Sequence, residues 1–266
     1  MSKILYAGES DVGFQRTVNE DFLYVKELDE DTTLALVADG AGSTGSTYQP
    51  ASIAVLEIVN VIKRCYQEAP VAFIENAEVF LAEAFRTAGR VLGAFQTANE
   101  ELYNGYAASV SCCLIHKDEL IFANTGNTRI NMVRKNKKTG NAQITLLTKD
   151  QTAGQALLDA GQFTFEEYHL SPERLKITGG LGVIAVPEVQ TFRMPLRVND
   201  FILMTTDGIH YAVRPDAFLE LLRRCETCQD GVRSLIFAAK ELEYADNMTA
   251  VLLWKISDHE KEGGGK

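Results

Sequence analysis

The 266-residue sequence predicts an α+β domain. Three observations lead there. The elements segregate: strands, two long helices, many strands, two helices, one strand. That order is unlike alternating β-α-β units. The composition is ordinary for a globular chain, 46% hydrophobic and 23% charged. No Pro/Gly/Ser-rich linker and no internal repeat divides it, so the length suits one large domain with a sizeable core.

Residues 4–10, 22–28 and 33–38 read as strands, with the acidic turn Asp29-Glu30-Asp31 between the last two. The period then changes. Val55, Ile58, Val59, Ile62 and Tyr66 share one helical face, while Glu57, Asn60, Lys63, Arg64 and Gln67 share the other. Pro70 suits the first turn of a second helix. The apolar stripe of that helix runs through Phe73, Ala77, Phe80, Leu81, Ala84, Ala88, Val91, Leu92 and Phe95. These two helices, consecutive in sequence, are expected to pair antiparallel over a sheet.

Strands resume at 107–116, 119–124, 128–134 and 144–147. The basic stretch 134–138 between the last two reads as a solvated hairpin turn. Residues 153–160 read as a short helix closed by Gly161. Residues 162–182 mix polarity with little periodicity and are expected to form an irregular flap near a site. Strands at 189–194 and 201–206, helices at 217–224 and 232–242, and a strand at 248–256 complete the chain. The folded domain is expected to span 1–256, with a disordered polar tail at 257–266.

The net charge is -10. Such an acidic chain is a poor partner for nucleic-acid backbones or anionic membranes and a good collector of divalent cations. No run approaches the ~20 apolar residues that cross a bilayer. The start, MSKILYAGES, lacks the apolar core of a secretory signal. The expected location is the cytoplasm. The five cysteines are odd in number and irregularly spaced. Cys225 and Cys228 form a CxxC without the second pair that zinc needs. Cys112 and Cys113, adjacent in a strand, should face opposite ways. All five read as reduced, structural thiols.

The chemistry centres on residues 34–42, LALVADGAG. A continuous apolar run fits a strand buried on both faces. It delivers Asp39 to the strand's end, and Gly40 and Gly42 let the backbone turn and approach a ligand closely. An Asp-Gly turn explains this stretch as well as a metal site does. Three further aspartates share the context. Asp21 precedes a strand, Asp207 ends the buried strand FILMTT, and Asp246 stands with Asn247 before the last strand. Four such aspartates can converge at one edge of a β-sandwich. Carboxylate oxygens suit Mg²⁺ or Mn²⁺. No histidine falls among these strand-end segments, which disfavours zinc.

Taken in order, these segments resemble the metal-dependent serine/threonine protein phosphatases of the type 2C class, in their bacterial form. The resemblance is carried by GESDVGFQRTVNED, VADGAGS, FANTGNTRI, LTKDQT, ITGGLG, MTTDGIH and ADNMTAV. It implies a four-layer α-β-β-α sandwich: two antiparallel sheets face each other, with a helix pair on each outer side. It implies hydrolysis of phosphoserine and phosphothreonine in proteins by a water activated between two Mn²⁺ or Mg²⁺ ions. Asp39 would bridge both metals and Gly40 would offer its carbonyl to one. Asp21, Asp207 and Asp246 would hold metal directly or through water, with Glu20 and Asn247 supporting them from behind. Arg16 would grip the substrate phosphate. The implied partners are a phosphorylated protein and the Ser/Thr kinase whose action is reversed.

Uncatalysed phosphate-monoester hydrolysis is slow enough that enzymes accelerate it by up to ~10²¹-fold. Side-chain acid–base catalysis supplies only about 10²–10⁴ of that, so metal activation of water is the chemistry such a site requires. The sequence departs from the family's pattern in three places. Asn127 replaces an aspartate that helps hold a third metal in bacterial members, so that site should be weak. Ala41 stands where animal members carry a histidine. Gln151 replaces a histidine, and the following flap sequence diverges. The rival expectation is a weak or inactive pseudo-phosphatase serving as a binding module, with Asn127 in its favour.

Overall fold

The computed structural model describes residues 2–42, 49–98, 100–136, 140–243 and 246–257. The last two lysines of the basic turn, and all but the first residue of the expected tail, lie outside the described residues.

The chain opens with β1 (Ser2–Asp11), β2 (Phe22–Asp29) and β3 (Thr32–Ala41), then α1 (Pro50–Glu68), α2 (Pro70–Glu75), α3 (Ala77–Ala98) and α4 (Glu100–Tyr103). Next come β4 (Ala107–His116), β5 (Glu119–Thr125), β6 (Arg129–Lys135) and β7 (Ala142–Leu146). The helices α5 (Ala153–Asp159) and α6 (Phe165–Leu170) and a 3₁₀ turn (Pro172–Leu175) follow. The chain continues through β8 (Gln190–Pro195), β9 (Phe201–Thr205), α7 (Asp207–His210), α8 (Pro215–Arg223), α9 (Cys228–Glu241) and β10 (Met248–Ser257).

Two five-stranded antiparallel sheets form, in the orders β1-β10-β9-β6-β7 and β2-β3-β4-β5-β8. Three apolar layers cement four layers of structure. Leu34, Leu36 and Ala38 of β3 pack with α1 and α3, while Ala35 and Val37 of the same strand pack against the other sheet. The unbroken apolar run is thus a strand covered on both faces. Cys112 and Cys113 divide in the same way between the two layers. The third layer joins β10 to α8 and α9. All five cysteines are unpaired thiols. No described helix is long and apolar enough to cross a membrane.

Two expectations change. The helix opened by Pro70 is broken at Asn76, whose side chain donates to Ala72 O at 3.0 Å. A short amide that competes for backbone acceptors ends one helix and lets another begin. The stretch read as irregular contains α6, closed at its start by a capping box between Thr164 and Glu167. That Thr-x-x-Glu spacing is a helix-start signal even where hydrophobic periodicity is weak.

Lys255 is an unexpected feature of β10. Its side chain is fully enclosed, yet the ammonium donates to Lys117 O (2.7 Å), Leu196 O (3.2 Å) and Asp118 Oδ1 (2.5 Å). Lys255→Met keeps the length and removes the donors from both carbonyls. Thermal denaturation should show a loss of about 2 kcal/mol, or roughly 5 °C for a chain of this size. A melting temperature within 1 °C of wild type, roughly the shift of a surface substitution, would show that water replaces the ammonium.

Candidate functional site

One end of the sandwich collects the acidic residues. Asp39 lies in the last part of β3, opposite Ser109 of β4, and Gly40 lies opposite Ala108. Asp21 immediately precedes β2 in the same sheet, while Asp207 follows β9 and Asp246 precedes β10 in the other. Gly40 is there for closeness. A Cβ at this position would stand 2.8 Å from Glu20 O and 3.0 Å from Ala51 N. Only a residue without a side chain lets β3 pass between the Glu20 backbone and the start of α1.

The charges oppose one another. Burial raises the Asp39 carboxyl well above the usual carboxylate range, and Asp207, Asp21, Asp246 and Glu20 push it further. Burial lifts Asp21 to about 7, with Asp207 and Asp246 adding to it and the hydroxyls of Thr249 and Thr206 pulling it back. Asp207 is also lifted to about 7, by burial first and Asp246 second, against the Asn127 amide and Arg16. Packed carboxylates that raise each other in this way favour a counter-cation.

Four supporting residues surround these carboxylates, each with a defined role. Asn247 clamps the loop that carries Arg16. Its amide donates to Val12 O (2.9 Å) and Val18 O (3.0 Å), and its oxygen accepts from Glu20 N (2.8 Å). Thr206 donates to Asp21 Oδ2 at 2.8 Å. Arg16 is half exposed and donates to Asp246 Oδ2 at 3.0 Å. Burial works against the Arg16 charge, but the hydrogen bond and charge of Asp246 hold its pKa above the ordinary value. Asn127 is fully buried and donates to Asp207 Oδ2 at 3.2 Å. Its own Oδ1 has no hydrogen-bond partner among the described residues.

Sequence reasoning missed Thr206 and Thr249. Both stand inside the recognised segments, MTTDGIH and ADNMTAV, and their hydroxyls are the signal that was available. It also passed over His210, three residues after Asp207. That ring is buried, bonded through Nδ1 to Thr205 Oγ1 at 2.9 Å, and held neutral by burial and the nearby Arg129 and Arg174.

Among the described residues no three His, Cys, Asp or Glu side chains are already gathered about one metal position. Asp21, Asp207 and Asp246 are each turned to a protein donor instead. The residues nevertheless fit divalent cations. The donors are all oxygens, as Mg²⁺ and Mn²⁺ require. The carboxylates crowd together in mutual repulsion, Asp21 buried and Asp39, Asp207 and Asp246 half-buried, and an orphaned amide oxygen stands beside Asp207.

A family model described as Protein phosphatase 2C matches residues 14–244. The serine/threonine phosphatase stp of Listeria monocytogenes is 23% identical over 245 residues, covering 92% of this chain and 93% of that protein. Protein phosphatase PhpP of Streptococcus pneumoniae is 23% identical over 246 residues, covering 92% and 94%. Among solved structures, the Mycobacterium tuberculosis serine/threonine phosphatase PstP/Ppp superposes with a TM-score of 0.79 at 25% identity, over 94% of this chain and 97% of that one. The Streptococcus agalactiae serine/threonine phosphatase superposes with a TM-score of 0.82 at 24% identity, over 97% and 100%. A PstP catalytic domain solved in complex with two manganese ions superposes at 0.78 with 24% identity, over 97% and 100%. With a match across most of its length and a sandwich that carries the acidic segments to one end, this chain belongs to the protein phosphatase 2C family, the metal-dependent serine/threonine protein phosphatases.

Proposed function

We propose that residues 1–256 form a catalytic unit that hydrolyses phosphoserine and phosphothreonine esters of proteins at the carboxylate centre. The supporting observation is that Asp21, Asp39 and Asp207, from both sheets, have raised pKa values to which their mutual charges and that of Asp246 contribute, beside a half-exposed arginine. In this reading Asp39 and the Gly40 carbonyl, with Asp21, Asp207 and Asp246, hold two Mn²⁺ or Mg²⁺ ions. Bound there, such ions supply a water acidified from ~15.7 toward ~7 and a clamp on the phosphoryl oxygens. Glu20 and Asn247 keep the Arg16 loop and the Asp21 turn in place. Arg16 exchanges its bond to Asp246 for the substrate phosphate, which a guanidinium can take in bidentate fashion. Ala41 offers no proton, so the leaving serine or threonine oxygen is protonated by solvent.

The proposed setting is the cytoplasm, with substrates phosphorylated by a partner Ser/Thr kinase. The pseudo-phosphatase alternative is not favoured, since all four aspartates and Arg16 are present and brought to one end. Asn127 bears on a third ion instead. Its amide carries no charge and stabilises the Asp207 carboxylate by donating to it, where a second carboxylate would repel Asp207 and attract a cation. Calorimetric titration with Mn²⁺ should therefore give two tight sites in wild type and a third in Asn127→Asp. Three tight sites in wild type would remove this account of Asn127. Hydrolysis of a phosphothreonine peptide that depends on added Mn²⁺ tests the function as a whole. Inactivity with every divalent ion would leave a binding module, and a preference for free nucleotides would assign a different substrate.

A further inference from the structure

The end of the sandwich opposite the carboxylate centre carries a basic groove, in a chain whose net charge is -10. Arg129 of β6 pairs with Thr205, two residues before Asp207, so β6 begins at the carboxylate end. Its last residue, Lys135, lies ~20 Å further along at ~3.3 Å per residue. Two hollows of about 650 and 450 Å³ open there, and both are lined by Arg134, Lys135, Asn136 and Arg197.

Asp200 is the single acid lining either hollow, and it is already satisfied. Arg134 Nε donates to its Oδ1 at 2.9 Å and Nη2 to its Oδ2 at 2.6 Å, while Arg197 N donates to Oδ2 at 2.7 Å. Arg134 Nη2 also donates to Pro195 O (2.9 Å) at the end of β8, which fixes the groove wall across the two sheets. The Lys135 and Arg197 side chains are exposed and form no hydrogen bond or ion pair among the described residues. The neighbouring strand, β7, is the edge of its sheet. Among the described residues β6 is its one strand partner, and Gln143 and Thr145 are exposed along it beside the smaller hollow. From the groove β7 leads back toward Gln151, whose N donates to Gly126 O (2.9 Å), next to the Asn127 that bonds Asp207. An edge strand offers its outward N–H and C=O groups to an added strand.

We propose that this groove binds an acidic, extended segment of the phosphoprotein substrate, which lies along β7 as an added strand with its carboxylates on Lys135 and Arg197. Use of the groove by a substrate rests on the phosphatase reading above; the binding site itself does not. A hairpin that only had to stay solvated would be served as well by acids, the commoner charge in this chain. Two unpaired cations beside an acid that is already neutralised instead leave a local positive field, which draws carboxylates. Main-chain pairing supplies affinity and alternate side chains supply selectivity in such strand addition. Nucleic-acid and lipid phosphates have no peptide backbone to pair with β7, and the acidic remainder of the chain repels them. Antiparallel addition, the better paired arrangement, places the acidic run on the C-terminal side of the phosphorylated residue. A spacer of ~6–8 residues covers the ~20 Å between groove and centre.

The probe is a fluorescein-labelled peptide of alternating Glu and Thr, with a Gln-for-Glu control, bound to the full chain at low salt and followed by anisotropy. Lys135→Gln combined with Arg197→Gln removes both charges at exposed positions, where substitutions leave the fold intact. Binding of the acidic peptide should weaken about fivefold, the scale of two exposed ion pairs. Amides of β7 should exchange more slowly with the peptide bound, while those of β1, at the other edge of the sheet, do not. Equal binding of the Glu and Gln peptides, or equal binding by wild type and variant, overturns the site. Unchanged β7 exchange overturns the strand addition. Tighter binding of a single-stranded oligonucleotide or of phosphatidylserine vesicles overturns the peptide as occupant. With Mn²⁺, a phosphothreonine peptide carrying the Glu-Thr run ~7 residues toward its C-terminus should show a KM about fivefold below its Gln-Thr counterpart in wild type. The two should match in the variant, with hydrolysis of para-nitrophenyl phosphate unchanged. Equal KM values in wild type overturn use of the groove by substrates. If wild type hydrolyses neither peptide nor ester the phosphatase reading fails, and anisotropy alone still decides whether the groove binds acidic segments.

Discussion

Asp39→Asn is expected to cut Mn²⁺-dependent hydrolysis of a phosphothreonine peptide by at least about 10³-fold, equivalent to ~4 kcal/mol of barrier. The same substitution should make the metal-free protein more stable. Burial and four neighbouring carboxylates oppose the Asp39 charge, and an amide of the same shape removes that opposition. A gain of about 1–3 kcal/mol is the scale seen when a buried charge is replaced by a neutral group. The sign can be followed with pH. The folded-state pKa values of Asp21 and Asp207 are raised from 3.8 to about 7. Between those values the folded chain binds more protons than the unfolded one, so metal-free stability falls as pH rises through that window. The advantage of Asp39→Asn over wild type should therefore be largest at or above neutral pH and shrink toward pH 4, about where ordinary carboxylates become protonated. Melting curves in chelator at pH 5 and pH 7.5 measure it. A lower melting temperature for the variant in chelator, or retention of activity, would contradict the reading of a repelling, cation-seeking centre.

Gly208→Ala should be as damaging by a different route. A Cβ at Gly208 would stand 1.9 Å from Asn247 O and 2.9 Å from Asn247 C. Both are backbone atoms, so no side chain can rotate away. The first turn of α7, which carries Asp207, would have to separate from the start of β10. That displaces Asn247, and with it the bonds to Val12 O, Val18 O and Glu20 N that hold the Arg16 loop. Overpacking against backbone costs about 3 kcal/mol or more. The expected result is a melting temperature lower by roughly 6–12 °C, with activity lost even where the protein remains folded. Full activity in a folded variant would mean that the spacing of Asp207 and Asp246 is not critical.

The legible and illegible parts of the sequence differ by residue. The run from Leu34 to Ala38 was readable as a doubly covered strand because a strand's two faces alternate residue by residue, and here both were apolar. The break at Asn76 was not readable from periodicity, since Ala77 and Leu81 continue the apolar stripe across it. α6 was readable only through Thr164 and Glu167, because its short span leaves little room for a stripe. Gly208 sits inside a helical turn and is required by a contact with residue 247, which neighbouring positions in the sequence do not reveal.

By itself the sequence determined the α+β class, the order of the elements and the presence of aspartates at the strand ends. Those depend on local periodicity and on residue chemistry, which are properties of neighbouring positions. The tertiary structure alone decided that Asp21 and Asp39 from one sheet face Asp207 and Asp246 from the other. It also decided that Asn127 donates to Asp207, that Arg16 rests on Asp246, and that Asp150 is met by Arg129, Tyr168 and Tyr211. Those contacts join positions 61 to 230 residues apart in the chain, or 18 and 21 in the cases of Tyr168 and Arg129 with Asp150. Their distances follow from how two sheets stack, because burial makes each polar group find a partner wherever the fold has placed one.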